Sequence, residues 1–180
     1  MKQRWAALLR GINVGGKNLV PMKELVAMFA AAGCDDAKSY IQSGNVVFSA
    51  TAAVAAKLPA VVGKSIERRF GFAVPIVVRS SDELAAIAKR NPFLAPDGDF
   101  AMLAVMFLAD KPTARAIATL DAGRSPPDEF VVRGREIFVR CPNGFARTKL
   151  TNAWFDSKLS TMSTGRNWRT VLKLIEMTRA

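Results

Sequence analysis

The chain has 180 residues, 50% of them hydrophobic and 23% charged, which suits one generous globular domain or two small ones. It contains no histidine, which excludes Ser-His-Asp and Cys-His catalysis, histidine metal sites and the usual proton shuttle, and its net charge of +11 favours anionic partners. Cys34 and Cys141 stand apart, no apolar run nears the roughly 20 residues of a membrane helix, and no signal peptide is read; the expectation is a cytoplasmic protein with reduced thiols, no membrane partner, no metal and no cofactor.

In chain order, Trp5–Arg10 reads as a strand ending at Gly11. Pro21 opens a helix to about Ala32, with Leu25, Met28, Phe29 and Ala32 repeating at helical spacing, and Gly33 stops it. Asp35-Asp36 reads as a loop. Ala37–Gln42 and Asn45–Ser49 read as strands across Ser43-Gly44, a two-residue hairpin spacing. Residues 52–70 are helical with a disturbance at Pro59, and Val74–Arg79 is another strand. The order β-α-β-β-α-β is the split ferredoxin-like unit.

The second half opens on a helix in which Ser80 and Glu83 have capping-box spacing, and Asn91-Pro92 ends it. After a turn at Pro96-Asp97-Gly98-Asp99, Phe100–Leu108 reads as a buried strand. Lys111-Pro112 opens a short helix to about Leu120, and Phe130–Arg133 with Glu136–Arg140 form a hairpin across Gly134-Arg135. Two helices near 149–160 and 166–178 close the chain. The fold class expected is therefore α+β, with two ferredoxin-like (βαββαβ-type) halves and mainly antiparallel sheets. Residues 1–80 form the first half; residues 81–180 form a ferredoxin-like-related second half with C-terminal helices.

Charge is uneven: +7 over residues 1–80, −3 over 81–130 and +7 over 131–180. In the first basic segment, Gly11-Ile12-Asn13-Val14-Gly15-Gly16-Lys17 has the spacing of a nucleotide-cradling loop. Asn18 replaces the Ser or Thr that would hold Mg²⁺, Pro21 delays the helix, and a hairpin sheet is antiparallel where such loops need a parallel one. A nucleotide-hydrolysing loop is rejected. Arg10, Gly11, Asn13, Gly15, Gly16 and Lys17 remain as an anion-binding candidate, alongside the alternative that the glycines only serve a crossover loop. Gln42, Ser43 and Asn45 form a polar cluster at the hairpin, suited to a turn or to a ligand.

In the second basic segment, Trp168, Val171, Leu172 and Ile175 share a helix face, with Arg166, Arg169 and Lys173 opposite. Cations in a first helical turn oppose the dipole, so Arg166, Asn167 and Arg169 form a second anion candidate. Asp128 or Glu129 are the internal alternatives for compensation. Arg147 and Lys149, read as opening the preceding helix, show the same mismatch. Asp97-Gly98-Asp99 lacks the remaining ligands of a calcium loop, and Cys141 lacks a base.

Three stretches, LLRGINVGGKN, YIQSGNVVFS and GRNWRT, resemble in order the motifs of the bacterial family catalogued as domain of unknown function 1697. The resemblance implies a small α+β protein with ferredoxin-like halves and supplies no chemistry. Three functional readings are open. The first is binding of a phosphate-bearing ligand or nucleic acid at the basic sites. The second is metal-independent catalysis on a phosphorylated small molecule, with Lys17 and the arginines stabilising charge. The third is an interaction module, including a homodimer in which basic ends meet the acidic middle.

Overall fold

Two four-stranded antiparallel sheets organise the chain, and the computed structural model describes residues 1–95 and 98–179. The chain divides into two units, Met1–Ala85 with Leu174–Ala180, and Ala86–Lys173.

In the first unit the elements run β1 (Lys2–Leu9), α1 (Met22–Ala31), β2 (Asp35–Tyr40), β3 (Asn45–Thr51), α2 (Ala52–Phe70) and β4 (Ile76–Ser80). The sheet order is β2-β3-β1-β4. Alternate residues Ala7 and Leu9 of β1, Val46 and Phe48 of β3 and Ile76 of β4 join one core. Leu25 and Phe29 of α1 meet them, as do Leu58, Val62 and Ile66 of α2; both helices repeat apolar residues at the spacing that makes one face. Thr51 caps α2, which continues through Pro59. Asp35 and Asp36 belong to β2 rather than to a loop. Asp35 pairs with Lys2 of β1, across the intervening β3, and the pair raises the Lys2 pKa.

The capping box is present at the start of α3 (Ser81–Arg90): Ser80 N–H donates to Glu83 Oε2 at 2.8 Å, and Glu83 N–H to Ser80 Oγ at 3.2 Å. In the second unit a 3₁₀ turn, Phe100–Met102, replaces the start of the expected long strand, because Asp99 Oδ1 caps Ala101 N–H. The chain continues through β5 (Leu103–Leu108), α4 (Ala114–Ile117), β6 (Glu129–Arg133), β7 (Glu136–Arg140), α5 (Asn152–Leu159), β8 (Ser163–Asn167) and α6 (Trp168–Arg179). Helix α4 is shorter than expected and is capped by Thr113. The sheet order β6-β7-β5-β8 matches that of the first unit. Its core joins Met106, Leu108, Ile137 and Val139 to Phe155 and Leu159. The turn expected at 96–99 falls partly on Pro96 and Asp97, outside the described residues.

One strand was not expected, and it takes the first two residues, 166 and 167, of the helix expected over 166–178. Residues 163–167 form β8 beside β5, with Val105 opposite Arg166. Helix α6 therefore starts at Trp168, where Asn167 Oδ1 accepts from Thr170 N–H at 2.8 Å. Its buried face is Trp168, Val171, Leu174 and Ile175; Leu172 is exposed. Helix α5 likewise opens at Asn152 behind the cap Thr151, so Arg147 and Lys149 lie in the preceding connection and face no helix dipole.

The two units end their central strands in the same way. Leu9 N–H donates to Gly44 O at 2.8 Å and Arg10 N–H to Pro75 O at 2.9 Å. Correspondingly, Leu108 N–H donates to Arg135 O at 2.9 Å and Ala109 N–H to Met162 O at 2.8 Å. At Gly44, φ is +75°, and a Cβ would lie 2.8 Å from Leu9 Cβ and 3.0 Å from Leu9 O. Gly44→Ala should therefore lower stability by about 2–4 kcal/mol in chemical denaturation. Gly15→Ala, with positive φ but open space, should cost about 1 kcal/mol. Equal losses would show that the Leu9 contact does not constrain Gly44.

Candidate functional site

The connection from β1 to α1 is itself a small hairpin. Val14 and Lys17 form an antiparallel bridge, with Lys17 N–H on Val14 O at 3.1 Å and Asn13 N–H on Asn18 O at 3.1 Å. Gly15 and Gly16 occupy the two central turn positions with φ +58° and +72°. Such a pair of positive φ values defines the tight turn that suits a β-hairpin and favours glycine. The glycine spacing that resembles a phosphate loop is thus the chemistry of a turn.

Two asparagines lock this hairpin. Asn13 (φ 54°) donates its amide to Val20 O and to Gln42 O, both at 3.0 Å, and accepts from Val20 N–H at 2.8 Å. Asn18 donates to Gly11 O at 3.0 Å. Ile12 and Val20 anchor the loop in the core. The position where a nucleotide loop would place its magnesium-binding hydroxyl therefore serves to close the loop.

Gln42 O is the link to the turn between β2 and β3, residues 41–44. Asn45 is buried and donates to Tyr40 O at 3.3 Å and Ser43 Oγ at 3.0 Å, closing that turn. The structure thus brings together Arg10, Gly11, Asn13, Gly15, Gly16, Lys17, Gln42, Ser43 and Asn45. Lys17 and the Gln42 side chain are exposed, Arg10 is half-buried at the base, and Asn13 and Asn45 are engaged internally. Helix α1, which the loop leads into, opens on Pro21 with no side-chain cap. Side chains cap the other helices of the described residues: Thr51, Ser80, Thr113, Thr151 and Asn167. The first turn of α1 therefore keeps open N–H groups beside the loop.

The second basic segment is arranged differently from expectation. Arg166 lies on β8, where its guanidinium donates to Gly165 O at 2.7 Å and Thr164 Oγ1 at 2.9 Å. Burial lowers its pKa to about 10, which still leaves it charged at neutral pH. Asn167 caps α6, and Arg169 is exposed in its first turn. Lys149 is fixed through its N–H on Ser125 Oγ at 3.0 Å. The acidic residues expected to compensate Arg166 and Arg169 are committed elsewhere, Asp128 to Ser125 and Glu129 to Arg140.

Neither cysteine offers a nucleophile. Both are buried, and desolvation raises each thiol to about 11, with lesser contributions that include Asp35 for Cys34 and Asp128 for Cys141. A cleft of about 370 Å³ in the second unit is lined by Phe93, Leu94, Met102 and Leu103, and its arginine, Arg140, pairs with Glu129 at 3.2 Å. Among the described residues no group of three or more Cys, Asp or Glu is placed to hold a metal ion. No described helix is long and apolar enough to cross a membrane.

Sequence reasoning missed three members of the loop cluster: Val14, Leu19 and Ile41, all exposed. Val14 and Leu19 are aliphatic residues outside any expected helix or strand, which was the available signal; Ile41 was read into the strand Ala37–Gln42, which ends instead at Tyr40. Exposed Lys23, in the first turn of α1, was also missed.

A family model described as protein of unknown function (DUF1697) matches residues 1–138, which includes both loops of the cluster. The GRNWRT stretch lies beyond the matched residues. Among solved structures, the chain is similar to the conserved bacterial protein SP0830 from Streptococcus pneumoniae, with 22% identity, a TM-score of 0.72 and 99% of each chain covered. At that identity the likeness shows the fold. No curated protein matches the chain.

Asn13 is the residue on which the cluster's shape turns. Asn13→Ala removes three hydrogen bonds and should cost about 2 kcal/mol. By hydrogen exchange, Val20 N–H should lose about tenfold or more of its protection. Unchanged protection at Val20 would show that the loop is held by other means.

Proposed function

Because the chain belongs to the family described as protein of unknown function (DUF1697), whose name carries no chemistry, we propose a function from the loop cluster itself: binding of phosphate-bearing ligands. The observation that carries this reading is an internal comparison. Both units end their central strand with the same pair of backbone hydrogen bonds. The second unit then reaches α4 through residues 109–113 and joins β6 to β7 through residues 134–135. The first unit spends residues 10–21 and 41–44 on the same two connections. The second unit closes the same bonds without a hairpin; in the first, Ile12 and Val20 belong to the core while the tip at residues 14–17 stays exposed, which leaves the tip open to a role besides the fold.

Its chemistry favours an anion. Residues 10–23 carry Arg10, Lys17 and Lys23, and the carboxylate that follows in the first turn of α1, Glu24, is paired with Arg69 at 2.9 Å. Lys17 stands exposed beside the Gly15-Gly16 turn, and the uncapped start of α1 comes next. Open N–H groups and cations together suit phosphate oxygens without a metal. Arg166, Asn167, Arg169, Arg147 and Lys149 are secondary here, since Asn167 is occupied as a cap and Arg166 donates within its own strand.

The test is a titration of the full chain with inorganic polyphosphate at two salt concentrations. Affinity should fall about tenfold or more between 50 and 200 mM salt. Lys17→Ala should weaken low-salt binding about three- to tenfold, with an unchanged melting temperature. Absence of binding at low salt contradicts the proposal, as does full affinity in Lys17→Ala.

A further inference from the structure

We infer that the phosphate-bearing ligand is single-stranded nucleic acid, with a phosphate at Lys17 and a base on an aliphatic patch formed by Val14, Leu19 and Ile41. The inference rests on the anion-binding reading above and names its ligand. Val14, Leu19 and Ile41 are 63%, 63% and 52% exposed. Each sits one residue from a group tied to the Asn13 amide: Val14 comes after Asn13, Leu19 precedes Val20, and Ile41 precedes Gln42. The Asn13 side chain thus ties together the three backbone segments that carry them.

Ile41 carries a second cost besides exposure. Its φ is 49°, a conformation in which a β-branched residue is an outlier and asparagine or glycine is at ease. An exposed isoleucine in an unfavourable backbone, at the edge of a cationic loop, is a poor choice for stability alone. A binding role gives both departures a common cause.

The surrounding groups match the parts of a nucleotide. The aliphatic side chains offer an apolar surface to a planar ring, as apolar side chains do around exposed bases. The exposed Gln42 side chain has no hydrogen-bond partner among the described residues and presents a donor and an acceptor to a base edge. Lys17 is the bridge partner of Val14, so the cation stands next to the patch. Free phosphate or polyphosphate would use the cations and the open N–H groups but not the aliphatic side chains. An anionic lipid surface would use the cation and the aliphatic groups but not the Gln42 amide. A duplex would hide the base faces, which is why the single strand is favoured.

Fluorescence anisotropy of the full chain with a labelled single-stranded 12-mer tests this, with the matching duplex, inorganic polyphosphate and phosphatidylglycerol vesicles as competitors. The single strand should bind about fivefold or more tighter than the duplex or a polyphosphate of equal charge. Ile41→Asn should weaken the single strand about fivefold and leave polyphosphate competition unchanged. Its melting temperature should equal or exceed that of the parent, because asparagine accepts the positive φ. Leu19→Ser, at an exposed position, should weaken the strand in the same sense, and Gln42→Ala should flatten any preference among homopolymers. Equal affinity for polyphosphate and single strand, unaffected by Ile41→Asn, overturns the nucleic-acid inference and leaves anion binding standing. Binding to neither overturns both. Vesicle binding that Ile41→Asn abolishes, without oligonucleotide binding, overturns the inference in favour of a lipid surface.

Discussion

The structure depends on how the central strand of each sheet ends. When β1 leaves its sheet, Leu9 and Arg10 must still satisfy their N–H groups, and they do so on Gly44 and Pro75, which precede β3 and β4. That pair of bonds brings three chain segments to one point, and at residue 44 the neighbouring Leu9 and Ile12 leave no room for a side chain. Leu108 and Ala109 meet Arg135 and Met162 in the same way, although Arg135 and Met162 share nothing with Gly44 and Pro75. The common element is backbone geometry: an antiparallel strand with neighbours on both sides has donors to place when it stops.

Beyond that junction the chain is free to vary, and the two units vary it in different directions. The second unit takes the shorter course in both connections. The first builds a hairpin, locks it with Asn13 and Asn18, and ties it to the neighbouring turn. Rigidity of this kind limits the ordering entropy a ligand would otherwise have to overcome. It also keeps Val14, Leu19 and Ile41 exposed, since a looser loop could fold them inward.

Much of the fold was legible because it rests on local rules. The 3.6-residue repeat of Leu25, Phe29 and their neighbours, the Ser80–Glu83 box and the Gly134-Arg135 hairpin each specify their element within a few residues. Strand β8 was not legible for the same reason. Ser163, Thr164 and Gly165 carry no hydrophobic alternation, and the strand exists because β5 offers an unpaired edge. The helical pattern starting at Trp168 overran it backwards and placed Arg166 on a helix. At the candidate site, the glycines and cations were visible by type. The internal use of Asn13 comes from a contact between segments some thirty residues apart, its bond to Gln42 O, and that of Asn45 from the closing of its own turn.

The central claim is one of location: the elaborated loops of the first unit, rather than the basic residues of the second, receive the anion. Backbone amide chemical-shift mapping during a polyphosphate titration tests it most directly. Saturable shifts concentrated in residues 10–24 and 40–45 are the result expected. Shifts confined to the 147–149 and 166–169 segments, with the first unit's loops unmoved, would contradict it.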